Sequence, residues 1–312
     1  MSTLITGAAG FVGANLLSRL VSTGHNNIHI LIRPHTDTWR INRILNNVTV
    51  HTGDISDALS VNKLVTSIKP RVIFHLAATT SGAHPRYEDS PEQLFSVNAT
   101  GTLNLLTACA SNQPCLFINT GSSSEYGKKS TPMRESMDPN PCTPYGISKM
   151  MSTLLCRQYA RMHCVPTMTL RLFSPYGPLE DSHRFIPTAI AAFAKNQSPR
   201  FLSTPSCVRD YVYIDDVIDA YIAAPDKATL AGDSINIGSG KEYTLGTVVN
   251  NIRKLCRSTQ EPLWNTTNQA DWEPTHWSAD IHKAKELLGW EPKYSLEEGL
   301  KKCIEYYQGL VN

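Results

Sequence analysis

The chain reads as an α/β protein, a doubly wound parallel sheet followed by a smaller, mixed C-terminal lobe. Three observations predict it. Short apolar runs alternate with helical patterns through the first half, a glycine-rich turn joins the first run to the first helix, and past about Pro175 the alternation gives way to Pro, Gly and irregular segments. That alternation is the βαβ rhythm of a parallel sheet covered on both faces, whose strands are continuously apolar because both of their sides are buried.

The first run, STLIT, leads into a helix predicted over Phe11 to Ser22. IHILI and VTV follow as strands, then a helix from about Ala58 to Ile68. RVIFHLA precedes a helix from about Pro91 to Ala110, CLFIN one from about Pro144 to Met162, and TMTLRL closes the series. Beyond it the pattern predicts a helix near 185–195, a short strand YVYI, an amphipathic helix after Asp215 and a terminal helix from about Leu296.

With 312 residues, 41% hydrophobic and 18% charged, the chain can bury a large core. Its formal charge of +2 includes no basic block, so the electrostatic footprint of a nucleic-acid partner is missing. No window approaches the roughly 18 apolar residues of a membrane span, and the N-terminus enters a strand pattern without a signal-peptide layout. Eight cysteines form no CxxC pair, and several lie in apolar runs as small hydrophobes. Nothing suggests a metal site. A cytoplasmic, reduced protein is expected.

The turn TGAAGFVG places Gly7, Gly10 and Gly13 between a strand and a helix that opens at Phe11 and Val12. Glycine there permits a tight turn, lets main-chain N–H groups approach a pyrophosphate and packs helix on strand, while the helix N-terminus favours the anion. A dinucleotide is the expected cofactor. An NAD site usually ends its second strand in Asp or Glu for the ribose 2′-OH. This chain has Arg33, whose fork of donors suits a 2′-phosphate, so NADP(H) is favoured over NAD(H). Asp54 and Ile55 of GDI would meet the adenine edge, although Asp54 equally reads as a helix cap, and Leu76, Ala77 and Ala78 of HLAA would pass beside the cofactor. These boundaries place a dinucleotide-binding unit at 1–174 and a substrate lobe mainly at 175–312, with segments such as 209–238 returning to the first unit.

In TPYGISK, Tyr145 and Lys149 stand four apart on a helical pattern and so share a face. An ammonium that close is expected to lower the tyrosine pKa toward the working range. GSSSEYG, Gly121 to Gly127, supplies hydroxyls at the end of the preceding strand.

With TGAAGFVG, HLAA, SVNATGTLNLL, GSSSEYG, YGISK, RLFSPYGP, RDYVYIDDV and ADIHKAKELLGWEP, the chain resembles, over nearly its whole length, the extended short-chain dehydrogenase/reductases that modify nucleotide sugars. The resemblance implies a Rossmann-type domain with a nucleotide-sugar-binding lobe and catalysis by Ser122, Tyr145 and Lys149. It extends the cofactor surface to Asn98, Thr120, Tyr145, Lys149 and Leu172. It assigns Ser122, Ser123, Tyr145, Ser174, Arg184 and Arg209 to substrate, with Arg209 on the diphosphate unless it pairs with Asp210. Trp277 stands where many members carry a second diphosphate arginine, and Ser174 where asparagine is usual. The resemblance also implies a homodimer formed by the helices at about 91–110 and 144–162.

Dehydratases of the family carry Thr-Asp-Glu where this chain has Ser122, Ser123 and Ser124, and a one-residue shift along an extended strand end would turn Glu125 away. Dehydration is therefore disfavoured. The GSSSEYG form looks closest to reductases of nucleotide-linked 4-keto-6-deoxyhexoses, and Arg33 suits NADPH. The expectation is thus a 4-ketoreductase, with a 4-epimerase that keeps its cofactor as the alternative and a relative that binds NADP without turnover as a third reading, which the intact Ser122, Tyr145 and Lys149 set argues against.

Overall fold

The computed structural model describes residues 2–80, 90–112, 115–227, 232–264 and 276–309. The protein has a Rossmann-type α/β fold. Strands β1 (Thr3–Thr6), β2 (Ile28–Ile32), β3 (Thr49–Thr52), β4 (Val72–His75), β5 (Leu116–Ser122) and β6 (Thr167–Leu172) alternate with α1 (Phe11–Ser22), α2 (Ala58–Ile68), the pair α3 (Pro91–Phe95) and α4 (Gly101–Ser111), and α5 (Pro144–His163). The C-terminal part follows: β7 (Ser174–Tyr176), α6 (Phe185–Ala194), β8 (Arg200–Phe201), β9 (Val208–Arg209), β10 (Tyr211–Tyr213), α7 (Ile214–Ala223), β11 (Asp233–Ile237), β12 (Tyr243–Thr244), α8 (Leu245–Leu255), β13 (Leu263–Trp264), α9 (His282–Leu288) and α10 (Leu296–Gly309).

One seven-stranded sheet runs β11-β6-β5-β4-β1-β2-β3, and every pairing in it is parallel. The chain builds outward from β1 in one direction, then crosses to build outward from β4 in the other. The reversal opens a crevice at the carboxyl ends of β1 and β4, where ligands of such sheets bind. Both faces are covered. Leu16, Leu17 and Leu20 of α1 and Val217 and Ile218 of α7 pack on one side, and Val65 of α2, Leu105 and Leu106 of α4 and Cys156 of α5 on the other. Burial on both sides explains why β6 is buried at all of its positions.

The helix expected from Pro91 is not regular. Residues Ser96–Thr100 form a π-helical turn between α3 and α4, and they include Asn98. Bulges of this type insert an extra residue into a helix and frequently mark functional sites. In the lobe, α6, α8 and α10 pack together around Phe193, Ile252 and Leu300. On the sheet face that they share, α1 and α7 are tied by Arg19 Nη1, which donates to Asp219 Oδ1 at 2.8 Å.

Candidate active site

The glycine turn is built by close approach. Gly7 has φ +74°, and a Cβ on it would lie 2.5 Å from Ala77 N and from Leu76 C, just past the end of β4. Gly13 carries the same constraint one turn into α1, where a Cβ would lie 2.1 Å from Gly7 O. Gly10 is the residue preceding α1 and offers no side chain to the helix's first N–H groups. No side chain caps those donors, and a helix N-terminus with free N–H groups behind a tight glycine turn fits a dinucleotide pyrophosphate. Phe11 and Val12 pack into the core beneath it.

Around the cradle the expected cofactor residues take distinct positions. Arg33 is exposed immediately past β2, and its charge reaches Asp54. Asp54 accepts from Ser56 N at 2.8 Å and Ser56 Oγ at 2.7 Å, closing a tight turn, while Asp57 is the residue that caps α2. Burial pushes the Asp54 carboxyl up, but the Ser56 bonds and Arg33 outweigh it and hold its pKa low. Ile55 is buried against Gly101, where a Cβ would lie 2.6 Å from Ile55 Cδ1. Leu76 and Ala77 follow His75, whose ring bridges Thr6 Oγ1 at 2.7 Å and Thr102 Oγ1 at 2.9 Å. Burial and the Lys149 charge push His75 down to about 3, so it stays neutral and ties the strand ends together. Ala78 continues that segment to Thr79, which Asn98 holds by accepting from its N–H at 2.9 Å. Asn98 also donates to Ser148 Oγ at 2.9 Å and so braces α5. Leu172 ends β6 and is buried.

The three expected catalytic groups come together. Thr143 caps α5 by accepting from Gly146 N at 3.0 Å, which places Tyr145 in the first turn. Lys149 lies one turn on, with its Nζ 6.0 Å from the Tyr145 ring centroid and donating to Thr120 O at 2.9 Å. The Ser122 hydroxyl lies beside the Tyr145 phenol, where it opposes the upward push of burial on the phenol's pKa. Gly146 makes this approach possible, since a Cβ there would lie 2.5 Å from Ser124 O. The electrostatics differ from expectation. Burial raises the Tyr145 pKa, opposed by Ser122 and by the Arg184 charge rather than by Lys149. Burial also pushes Lys149 down to about 8, against the pull of Glu125.

GSSSEYG is not the extended strand end that the alternation argument assumed. The strand stops at Ser122, and Ser123–Glu125 form a 3-10 turn. Ser122 Oγ accepts from Ser124 N at 3.1 Å, and Glu125 Oε1 accepts from Ser122 N at 2.8 Å, a capping box. Glu125 is fully buried, with Oε2 2.9 Å from Arg171 Nε. Arg171 Nη1 donates to Tyr126 Oη at 2.9 Å, and Tyr126 donates to Asn236 Oδ1 at 2.7 Å. Glu125 is therefore removed from chemistry by an ion pair and not by strand phase. Glu125 and Tyr126 form a structural bracket under the serines.

On the substrate side, Ser174 is half-buried on β7. Arg184 precedes α6, with its Nε 3.6 Å from Glu180 Oε1. Arg209 is not paired with Asp210. Asp210 accepts instead from Ser239 N at 2.6 Å, Ser239 Oγ at 2.7 Å, Gly240 N at 3.0 Å and Ala279 N at 2.9 Å. Arg209 is left with a bond to Val208 O at 2.7 Å and a position 5.9 Å from the Trp277 ring centroid. Ser123 Oγ, expected at substrate, accepts from Trp277 Nε1 at 3.1 Å.

The sequence pattern of the NAD dependent epimerase/dehydratase family matches residues 3–238. The chain belongs to that family. Among its relatives, the UDP-glucose 4-epimerase of Mycolicibacterium smegmatis is 30% identical over 99% of both chains. The UDP-glucuronate 4-epimerase of Thermodesulfobacterium geofontis is 28% identical over 97% of this chain and 95% of its own. The crystal structure of UDP-glucose 4-epimerase from Thermotoga maritima with UDP-glucose superposes with TM-score 0.90, at 28% identity and full coverage of both chains. That of Bacillus cereus UDP-glucuronic acid 4-epimerase with UDP-glucuronic acid and NAD gives 0.87, at 28% identity over 99% of this chain and 100% of that one.

These comparisons overturn the 4-ketoreductase expectation, because 4-epimerases dominate among the similar family members. The physical reason lies in the two features used to separate the chemistries. Arg33 bears on the cofactor's ribose and not on the sugar, and the EYG form is the bracket just described, so neither separates them, while Ser122, Tyr145 and Lys149 serve reduction and epimerisation alike. The protein is an enzyme of this nicotinamide-dependent family. Among the described residues no helix is long and apolar enough to cross a membrane.

Proposed function

We propose that the protein is a nucleotide-sugar 4-epimerase acting on a UDP-hexose and retaining its dinucleotide through turnover. The observation that carries this reading is the convergence of Ser122, Tyr145 and Lys149 beside the glycine cradle, in a chain whose full-length relatives are mostly nucleotide-sugar 4-epimerases. A dinucleotide held in the cradle at Gly7, Gly10 and Gly13 would supply reversible hydride transfer at C4. Tyr145 takes the C4 hydroxyl proton and gives it back, so the reaction closes with no net oxidation. Ser122 donates to the same oxygen as charge develops on it. Lys149, fixed on Thr120 O, orients the ribose and keeps a positive charge near the phenol. Ser122 and Arg184 counter the upward push of burial on that phenol. Arg209 and Arg184 anchor the diphosphate.

Arg33 directs the cofactor choice. It follows β2, where a carboxylate would serve a 2′-OH, and its guanidinium suits a 2′-phosphate. NADP(H) is the proposed resident form, and Arg33→Asp should shift retention toward NAD(H). A reducing cytoplasm and a homodimer through α4 and α5 belong to the same reading. The test is incubation of purified protein with UDP-glucose and no added reductant, followed by separation of the UDP-hexoses and identification of the dinucleotide released on denaturation. UDP-galactose with a stoichiometric bound dinucleotide is expected. Consumption of NADPH in step with product from a 4-keto sugar, with no epimer formed, would overturn it.

A further inference from the structure

A second polar cleft lies at the edge of the sheet, against the C-terminal half of α5 and away from Tyr145. Strand β11 is outermost there, so the N–H groups of alternate residues point away from the sheet and need other partners. Asn236 N finds Glu135 Oε1 at 2.8 Å. Ser234, two residues back, turns its N–H the same way, and beside it opens a cleft of about 240 Å³ lined by Glu135, Arg157, Arg161, Asp233, Ser234 and Lys283. Ile235 belongs to the core under α1 and α7, so the Ser234 side chain faces the other layer, toward α5 and the cleft. Ser234 is 3% exposed, and its Oγ has no hydrogen-bond partner. A buried hydroxyl left unmatched is a standing cost, and it points to a ligand group that would match it.

The charges around that hydroxyl decide what the ligand is. Arg157 and Arg161 stand four apart on α5 and so share a face, and among the described residues neither takes part in an ion pair. Lys283 Nζ lies 2.6 Å from Asp233 Oδ1, and these two charges offset each other. Glu135 is engaged by Asn236 N, and burial raises its pKa, so it opposes an anion less than an exposed carboxylate would. Two unpaired guanidinium groups, a buried hydroxyl and an edge N–H are the donors that a phosphate group uses. A cavity of about 150 Å³ accommodates a benzene ring, so this cleft has room for a phosphate and several carbons. We propose that the cleft is an accessory binding site for a small hydroxylated phosphate monoester of the sugar-phosphate class. Arg157 and Arg161 take the phosphate oxygens together with the Ser234 N–H and hydroxyl, and Glu135 accepts from a ligand hydroxyl. The site is separate from the active site, because Arg157 lies two turns, about 12 Å, along α5 from Lys149.

The test is calorimetric titration of the full chain with glucose 6-phosphate and with inorganic phosphate. Wild type is compared with the double variant Arg157→Gln and Arg161→Gln, with Ser234→Ala, and with Arg209→Gln at the diphosphate anchor. Glutamine is a good helix former and both arginines lie on the outer surface of α5, so the double variant keeps the fold. It should bind glucose 6-phosphate at least about tenfold more weakly than wild type, the scale of a lost charge-assisted contact. Ser234→Ala should weaken it about threefold and, without ligand, melt no lower than wild type, because the hydroxyl it removes has no partner. Arg209→Gln should stay within about twofold of wild type, and inorganic phosphate, which has no carbon-borne hydroxyls, should bind more weakly than the monoester. A wild type that binds neither probe, or a double variant that binds as wild type does, overturns the site. Loss of binding in Arg209→Gln also overturns it, by placing the phosphate on the diphosphate anchor. Equal affinity for the two probes overturns the monoester in favour of a bare anion site.

Discussion

Tyr145 and Lys149 share one helix face, yet burial acts on them in opposite senses, raising the phenol and pushing the ammonium down to about 8. If Tyr145 exchanges the C4 proton, Tyr145→Phe should lower turnover by about 10²-fold in a UDP-hexose epimerisation assay, with dinucleotide retention unchanged. Lys149 gives a pH signature. Its folded pKa lies below the usual 10.5 of an unfolded lysine, so the unfolded chain binds the extra proton between about pH 8 and 10.5. In that window the wild type gains stability from this group as pH rises, and below pH 8 the buried charge is a constant cost of about 3 kcal/mol. Lys149→Met, in protein stripped of dinucleotide, should therefore be the more stable at pH 7, and the difference should shrink toward pH 10.5. Denaturant titrations of both proteins across this range check it, and a difference that does not depend on pH would show that the ammonium is not desolvated.

At the scale of the element, the serine turn is set by a buried ion pair. Glu125→Gln leaves the Arg171 guanidinium without its carboxylate and should cost about 3 kcal/mol or more, read as a fall in melting temperature. Replacing Arg171 with Met in the same chain should recover part of that loss, because the unpaired charge is gone. A Glu125→Gln protein that melts with wild type would show the bracket to be dispensable. Half of this arrangement is local enough to be found from sequence, although the extended-strand expectation above passes over it. Ser122-Ser123-Ser124-Glu125 spells the S-x-x-E capping box, a local rule needing only neighbours in sequence. Arg171 is not, because it comes from β6 and pairs with Glu125 only after β5 and β6 have registered. The same contrast runs through the rest of the chain. Helix α1 is local, and its bounds at Phe11 and Ser22 match the expectation. The helix α8 escaped notice because Thr247, Val248, Val249, Asn250 and Asn251 are weak helix formers, held helical by burial of Val248, Val249 and Ile252 in the lobe. Trp277 meets Ser123 across 154 residues of chain, a contact that no local pattern announces.

For the whole molecule, one feature of α5 joins catalysis to assembly. Its inward face carries Lys149, Ser152 and Cys156, while Ile147, Met151 and Leu154 form an outward stripe at spacings of four and three, each more than a third exposed. Leu103 of α4, exposed to a similar degree, extends the apolar surface to the neighbouring helix. Contiguous apolar surface of this sort marks an interaction site, and a two-fold axis beside α4 and α5 would bury the stripe against its own copy. Sedimentation of the wild type at micromolar concentration should therefore show a dimer. Met151→Glu together with Leu154→Glu should give a monomer, since burying like charges across a two-fold interface is strongly unfavourable. The monomer should also turn over more slowly, because α5 holds Tyr145 and Lys149 and would lose the support of its partner along the opposite face. A wild type that sediments as a monomer would sink the interface outright, and a charged variant that stays dimeric would place the contact elsewhere on the surface.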